Sequence, residues 1–476
     1  LSYVKRHCVI NESELAQKAK IEFWKSFGSA GCGACLRRQD LYLCRRMGCA
    51  GSRVNSTAAA SSKIGSPPTP KPQSTSSGIA GAGTIAEEQG AQEPIAGPEP
   101  DGTLAQAATR AAIAAEVARV QALPGIERAL VGQKYTDPEA LWLALEAGGG
   151  GATVILRASW VKRMDVANGF RLPKRGDAIP PEATITAAEL RAIAKASSCQ
   201  HGALPVIALS HYWRTKEHPD PDGETAALVI ASLEERWSEF AEMGVTDVGI
   251  IVDFCALWQA PRETPEKVEA FKEGLKGINQ WYAHQGTTVW LITAGADRVK
   301  GLSYWDKGWT SFEFALAMLI KPANTSSMKD WAQVVDLGKE AKEVQTAFDR
   351  PPLSEPLAFF ADHKYGNKTY TNGADRDNIV APKFRDTIFE VMGGVRELNF
   401  GKLNWGDTEV EALAIVLPLC GRLVKLKLHA NAFGDAGLVA LSGAMGAMPQ
   451  LKELYLSGNQ IGDTGVTALA NACATG

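Results

Sequence analysis

Three segments near the carboxyl end of the chain repeat with one fixed step. Val395, Leu423 and Leu451 stand 28 residues apart, as do Leu398, Leu426 and Leu454, and Phe400, Leu428 and Leu456. The same step relates Gly406, Gly434 and Gly462, then Asp407, Asp435 and Asp463, then Leu413, Leu441 and Leu469. A step this regular excludes most folds. The Leu-x-x-Leu-x-Leu run makes a short strand with its apolar residues inward, and the Gly-Asp pair opens a helix that returns on the other side. One such unit cannot bury its own apolar face, so the units must stack into a solenoid. Asn431 and Asn459 also repeat, at the turn, where a buried amide can satisfy backbone groups. Leu403 takes that place in the first unit, which predicts a less regular turn there.

This block, residues 395–476, resembles the ribonuclease-inhibitor type of leucine-rich repeat. The resemblance implies an α/β solenoid whose concave strand side binds a protein partner. Strand positions facing solvent would be Glu397, Asn399, Lys425, Lys427, His429, Glu453 and Tyr455. Three repeats are few, and a polar closing unit is not evident, so further repeats are expected to follow.

The middle of the chain alternates strand and helix signals. Val206-Ile207-Ala208-Leu209, Gly249-Ile250-Ile251-Val252 and Thr288-Val289-Trp290-Leu291-Ile292 are short apolar runs that predict buried strands. Residues 223–243, 265–284 and 310–320 carry the helical pattern between and after them. Strands and helices in this alternation predict a parallel sheet covered by helices, with active groups at the carboxyl ends of the strands. Residues 103–122 form an Ala-rich helix stopped at Pro124-Gly125. The four glycines Gly148 to Gly151 lack a following Gly-Lys-Ser/Thr and carry no nucleotide role.

Four blocks sit on this frame in order: Leu209-Ser210-His211-Tyr212-Trp213, His218 to Gly223, Val252-Asp253-Phe254-Cys255, and Trp309-Thr310-Ser311-Phe312-Glu313. Together they resemble the heterokaryon-incompatibility domain and its relative, the Toll/interleukin-receptor (TIR) domain, over residues 204–320. His211 and Arg214 depart from that family's first block, where Tyr and Gly are usual. Leu172 to Arg175 and Thr371 to Arg376 resemble segments of repeat-bearing proteins of unicellular algae. The resemblance implies a TIR-like (flavodoxin-like) fold that assembles with copies of itself. Some TIR domains also cleave NAD at the nicotinamide–ribose bond. On that reading Glu313 and Trp309 match the catalytic Trp-x-x-x-Glu arrangement. Asp253 would hold a ribose hydroxyl, with Ser210 and Trp213 against the dinucleotide. A carboxylate in the first turn of a helix is kept ionised by the helix N-terminus and can oppose a developing ribosyl cation. A second role is open to Glu313: Thr310-x-x-Glu313 is also a capping box, and Trp309 and Phe312 also suit a core. Ser210 and His211, adjacent on a strand, point to opposite faces and do not make a nucleophile–base pair.

The flanks divide as follows. Residues 1–50 are basic and hold five cysteines. Cys32, Cys35, Cys44 and Cys49 offer a four-thiolate set for zinc. Residues 51–101, rich in Ser, Ala, Gly and Pro, predict a disordered linker. Residues 102–200 are expected to be a helical extension of the α/β domain (201–325), and 326–394 a helical connector to the repeats. Net charge is −3, which argues against a nucleic-acid partner. Apolar runs stop short of a membrane span, and scattered cysteines in hydrophobic segments suit reduced thiols in the cytoplasm. The expected function is a signalling or scaffold protein that binds a partner through its repeats. Its α/β domain would self-associate. The alternative is an NAD glycohydrolase switched on by clustering.

Overall fold

The run at Val206 becomes the centre of a five-stranded sheet. The computed structural model describes residues 102–124, 131–146, 153–199, 202–297, 300–321, 330–338, 350, 368–370 and 372–475. The cysteine cluster and the 51–101 segment lie outside the described residues. Among the described residues the first elements are helices α1 (Gly102–Ala122) and α2 (Pro138–Glu146), then strand β1 (Leu156–Arg157) and helix α3 (Ala187–Ala196). Next come β2 (Val206–His211), α4 (Glu224–Glu242), β3 (Gly249–Ile251), α5 (Pro265–Ala283), β4 (Thr288–Ile292), α6 (Gly308–Ala317) and β5 (Val334–Asp336). Strand order is β1-β3-β2-β4-β5. β2 runs parallel to both β3 and β4, and β4 parallel to β5, while β1 adds antiparallel at the β3 edge.

The sheet therefore draws strands from both flanks that the sequence presents as helical. β1 has two residues and β5 three, too short for alternation to register as a period.

Alternation along β2 builds two cores. Val206 and Ala208 pack with Ile251, Val289 and Leu291 against Ile278 and Trp281 of α5 and Phe312 and Leu316 of α6. Ile207 and Leu209 pack with Ile250, Trp290 and Ile292 against Val229, Leu233 and Phe240 of α4. Local chemistry fixes where the helices start. The buried Asp220 carboxylate accepts from Thr225 N and Ala226 N at 2.8 and 2.9 Å, capping α4. Thr264 caps α5 ahead of Pro265. Among the described residues no helix is long and apolar enough to cross a membrane.

Helix α7 (Ala381–Gly394) follows, then three strand–helix coils: β6 (Glu397–Asn399) with α8 (Asp407–Val416), β7 (Lys425–Lys427) with α9 (Asp435–Ala444), and β8 (Glu453–Tyr455) with α10 (Asp463–Thr475). The strands form a parallel sheet in order β6-β7-β8, with Leu398, Leu426 and Leu454 in register. Asn431 works as its spacing implies. Its amide donates to the carbonyls of Phe400 and Leu428 at 2.8 and 3.0 Å and accepts from Leu403 N and Trp405 N at 2.9 and 3.2 Å. The first turn is less regular, with Lys402 and Asn404 both at positive φ. The repeated Asp does more than open its own helix: Asp407 accepts from Gly434 N and Gly437 N of the next coil at 2.7 and 2.8 Å, and Asp435 likewise from Gly462 N and Gly465 N at 2.7 and 2.9 Å. One buried cluster runs from the α5/α6 face of the large sheet through Phe384, Ile388 and Met392 of α7 into Leu398, Leu426 and Leu454. Large sheet and solenoid thus share a core.

Candidate functional site

The polar residues singled out in the middle region gather at the carboxyl ends of β2 and β3. β2 lies between β3 and β4 while the chain passes from β2 to β3, so the strand order reverses between β2 and β4. Open α/β sheets bind ligands at such a crevice. Ser210 and His211 end β2 there, opposite Leu291 and Ile292.

Ser210 is fully buried on the α6 side. Its Oγ lies 2.5 Å from Glu313 Oε2 and 2.7 Å from the Tyr304 hydroxyl. Tyr304 OH donates to the Thr310 carbonyl at 3.1 Å. The Tyr282 hydroxyl, from α5, donates to the Leu209 carbonyl at 3.3 Å and also faces Glu313. Burial pushes the Glu313 carboxyl well above the usual carboxylate range, and the charge of Asp253 adds to the effect against the hydrogen bonds from Ser210 and Tyr282. Burial also raises both phenols.

Two expectations for Glu313 are corrected by this geometry. Helix α6 begins at Gly308, so Glu313 is its sixth residue and lies beyond the first turn. No capping box forms, since Thr310 Oγ1 donates to the carbonyls of Tyr304 and, at 3.2 Å, Lys307, and Glu313 bonds Ser210 instead. The early start is possible because Gly308 N donates to Thr369 O at 3.0 Å, which satisfies one orphan amide of the helix end.

The other residues divide. Trp213 Nε1 donates to Asp253 Oδ2 at 3.1 Å, which brings these two side chains together. His211 is buried on the opposite side of β2 from Ser210, with Nε2 3.7 Å from Asp253 Oδ1 and no hydrogen bond. Trp309 is drawn elsewhere. Its Nε1 donates to Asp375 Oδ2 at 3.2 Å and its ring packs edge-on against Phe312. Nothing in the sequence flagged Tyr304 and Tyr282. Tyr304 stands 94 residues from Ser210, with no motif to link the two. Among the described residues no three His, Cys, Asp or Glu side chains converge to hold a metal ion.

The strand face of the solenoid is the second candidate. Lys427 pairs with Glu397 at 2.5 Å and Lys425 with Glu453 at 3.1 Å, each across adjacent strands. Tyr455 OH donates to Glu453 at 2.7 Å, and the Lys427 ammonium lies 6.0 Å from the Tyr455 ring centroid. His429 shares the intermediate burial of Asn399, Lys425, Lys427, Glu453 and Tyr455. It is half-buried against Gly401, where even a Cβ would come within 2.3 Å of the ring. Burial, then Lys402 and Lys427, lower its pKa.

Residues 448–470, which hold β8 and the start of α10, match the family described as Leucine Rich repeat. No curated protein matches the chain. The α/β sheet is mostly parallel, and the comparison with families gave no match over it.

Proposed function

We propose that this protein is a signalling or scaffold protein that holds a protein partner on the strand face of its repeats and self-associates through a TIR-like α/β domain. The observation that carries the reading is the outer face of β6–β8. Each strand buries its central leucine and turns two side chains outward, giving Glu397, Asn399, Lys425, Lys427, Glu453 and Tyr455 on one surface. Charges of both signs beside one aromatic suit a partner whose own surface is mixed in charge. The β3-β2-β4-β5 order, which is 2-1-3-4 when the parallel strands are numbered along the chain, supports the TIR-like part.

Geometry at Glu313 favours binding over NAD cleavage. That chemistry needs an ionised carboxylate with an aromatic beside it. Here the carboxyl is buried against two hydroxyls, and Trp309 is held by Asp375.

A photo-crosslinking residue at Asn399 would trap the partner. Lys427→Glu combined with Tyr455→Ala is expected to reduce the purified partner's affinity at least tenfold with the unfolding midpoint unchanged. Equal affinity for variant and parent would refute the reading. Sedimentation should show mass rising with concentration, and a monomer at every concentration would remove the self-association.

A further inference from the structure

Three oxygen contacts run in series at the end of β2: Glu313 Oε2 to Ser210 Oγ at 2.5 Å, Ser210 Oγ to Tyr304 OH at 2.7 Å, and Tyr304 OH to Thr310 O at 3.1 Å. Each needs one proton. The carbonyl brings none, and the two hydroxyls bring one each. With Glu313 ionised, three contacts share two protons, and one pair of oxygens meets lone pair to lone pair. With Glu313 protonated, every contact is filled: Glu313 donates to Ser210, Ser210 to Tyr304, Tyr304 to Thr310.

The surroundings agree. Among the described residues, the titratable groups that face the carboxyl are Tyr282 from α5, Tyr304 from the turn before α6 and Asp253 from the end of β3. None is a cation, and Asp253 opposes a second negative charge. A buried carboxylate with no positive partner is strongly disfavoured.

We propose that Glu313 is held as a neutral carboxylic acid whose proton fastens helix α6 to the central strand β2, and that losing this proton at higher pH loosens the helix. The chain has the geometry of a pH-sensitive catch at the carboxyl end of the sheet. It lies one helical turn from Trp309 and the segment that holds it, Asp375. Burial sets the direction of the pH effect. The unfolded chain loses the Glu313 proton near the ordinary value of 4.5, and the folded chain keeps it to higher pH. The stabilisation is therefore complete below that ordinary value and declines as pH rises through the folded value. In that window one bound proton separates the two states, which is worth about tenfold in the folding constant per pH unit.

Two readouts on the full chain test this. Isotope-edited infrared spectra at pH 7, with carboxyl-labelled glutamate, should show a protonated-acid band in the parent that is missing from Glu313→Gln. Carboxylate bands alone would overturn the proposal. Urea unfolding should show the parent losing stability against Glu313→Gln as pH rises, since the amide donates to Ser210 without titrating. Parallel pH curves would also overturn it. If Glu313→Gln does not fold, Tyr304→Phe replaces it. Removing the acceptor of Ser210 should move the acid band of the parent, and an unmoved band counts against the chain of donors.

Discussion

Strand β2 and strand β7 treat their polar residues in opposite ways. In β2 all six residues are buried; Ser210 is spent on hydrogen bonds inside the protein, and His211 Nε2 is buried without one. In β7 only Leu426 is buried, and the flanking lysines turn outward to pair with acids on β6 and β8. Helices cover the large sheet on both sides, whereas the solenoid leaves one side of each strand open. A polar residue on the first kind of strand is costly unless paired, so its identity is fixed by fold. On the second kind it is free to serve a partner. On our proposal, recognition falls to the repeats and fastening to the sheet.

The largest expected effect tests whether the two regions stand apart at all. Leu426→Ala removes a fully buried side chain at the middle of the solenoid and should cost about 2–5 kcal/mol in denaturant unfolding. Because the core is continuous through α7, fluorescence from Trp290 in the large sheet should follow the same transition as the solenoid. Two separated transitions would break the shared-core account. Asn431→Ala sharpens the comparison from the turn side. It strips four hydrogen bonds from buried backbone groups and should cost about 1–3 kcal/mol, again without an effect confined to the repeats. The smallest effect is the most diagnostic of an open face. Lys427→Ala breaks an exposed pair with Glu397 and should change stability by less than about 1 kcal/mol. A larger loss would mean that the strand face is structural, as β2 is.

How far the sequence was legible follows the same divide. Leu398, Leu426 and Leu454 show the solenoid strands, their register and their outward positions, because one face is wet and the period is visible. For the large sheet, Val206 to Leu209 and Thr288 to Ile292 mark strands, but a segment apolar on both faces says nothing of its neighbours in the sheet. β1 and β5 escaped notice because two or three residues carry no period. The site was half legible: Trp213 with Asp253 and Ser210 with Glu313 are motif residues that do meet. Tyr304 and Tyr282 come from a turn and a helix remote in sequence, and only tertiary packing brings their hydroxyls to Ser210. Trp309 misled because a Trp-x-x-x-Glu spacing fixes a helical face and leaves open which neighbour claims the indole. At His429 the outward position was legible, but not that the ring lies over Gly401 in the turn after β6, where there is no side chain to hold it off.

The division of labour between strand face and sheet site is tested most directly by one titration. A partner trapped through Asn399, once purified, would be titrated against the parent protein, against Lys427→Glu with Tyr455→Ala, and against Glu313→Gln, at one pH and salt concentration. The account predicts that the strand-face variant loses at least tenfold in affinity while Glu313→Gln binds as the parent does. Parental binding by the strand-face variant together with loss of binding in Glu313→Gln would contradict it.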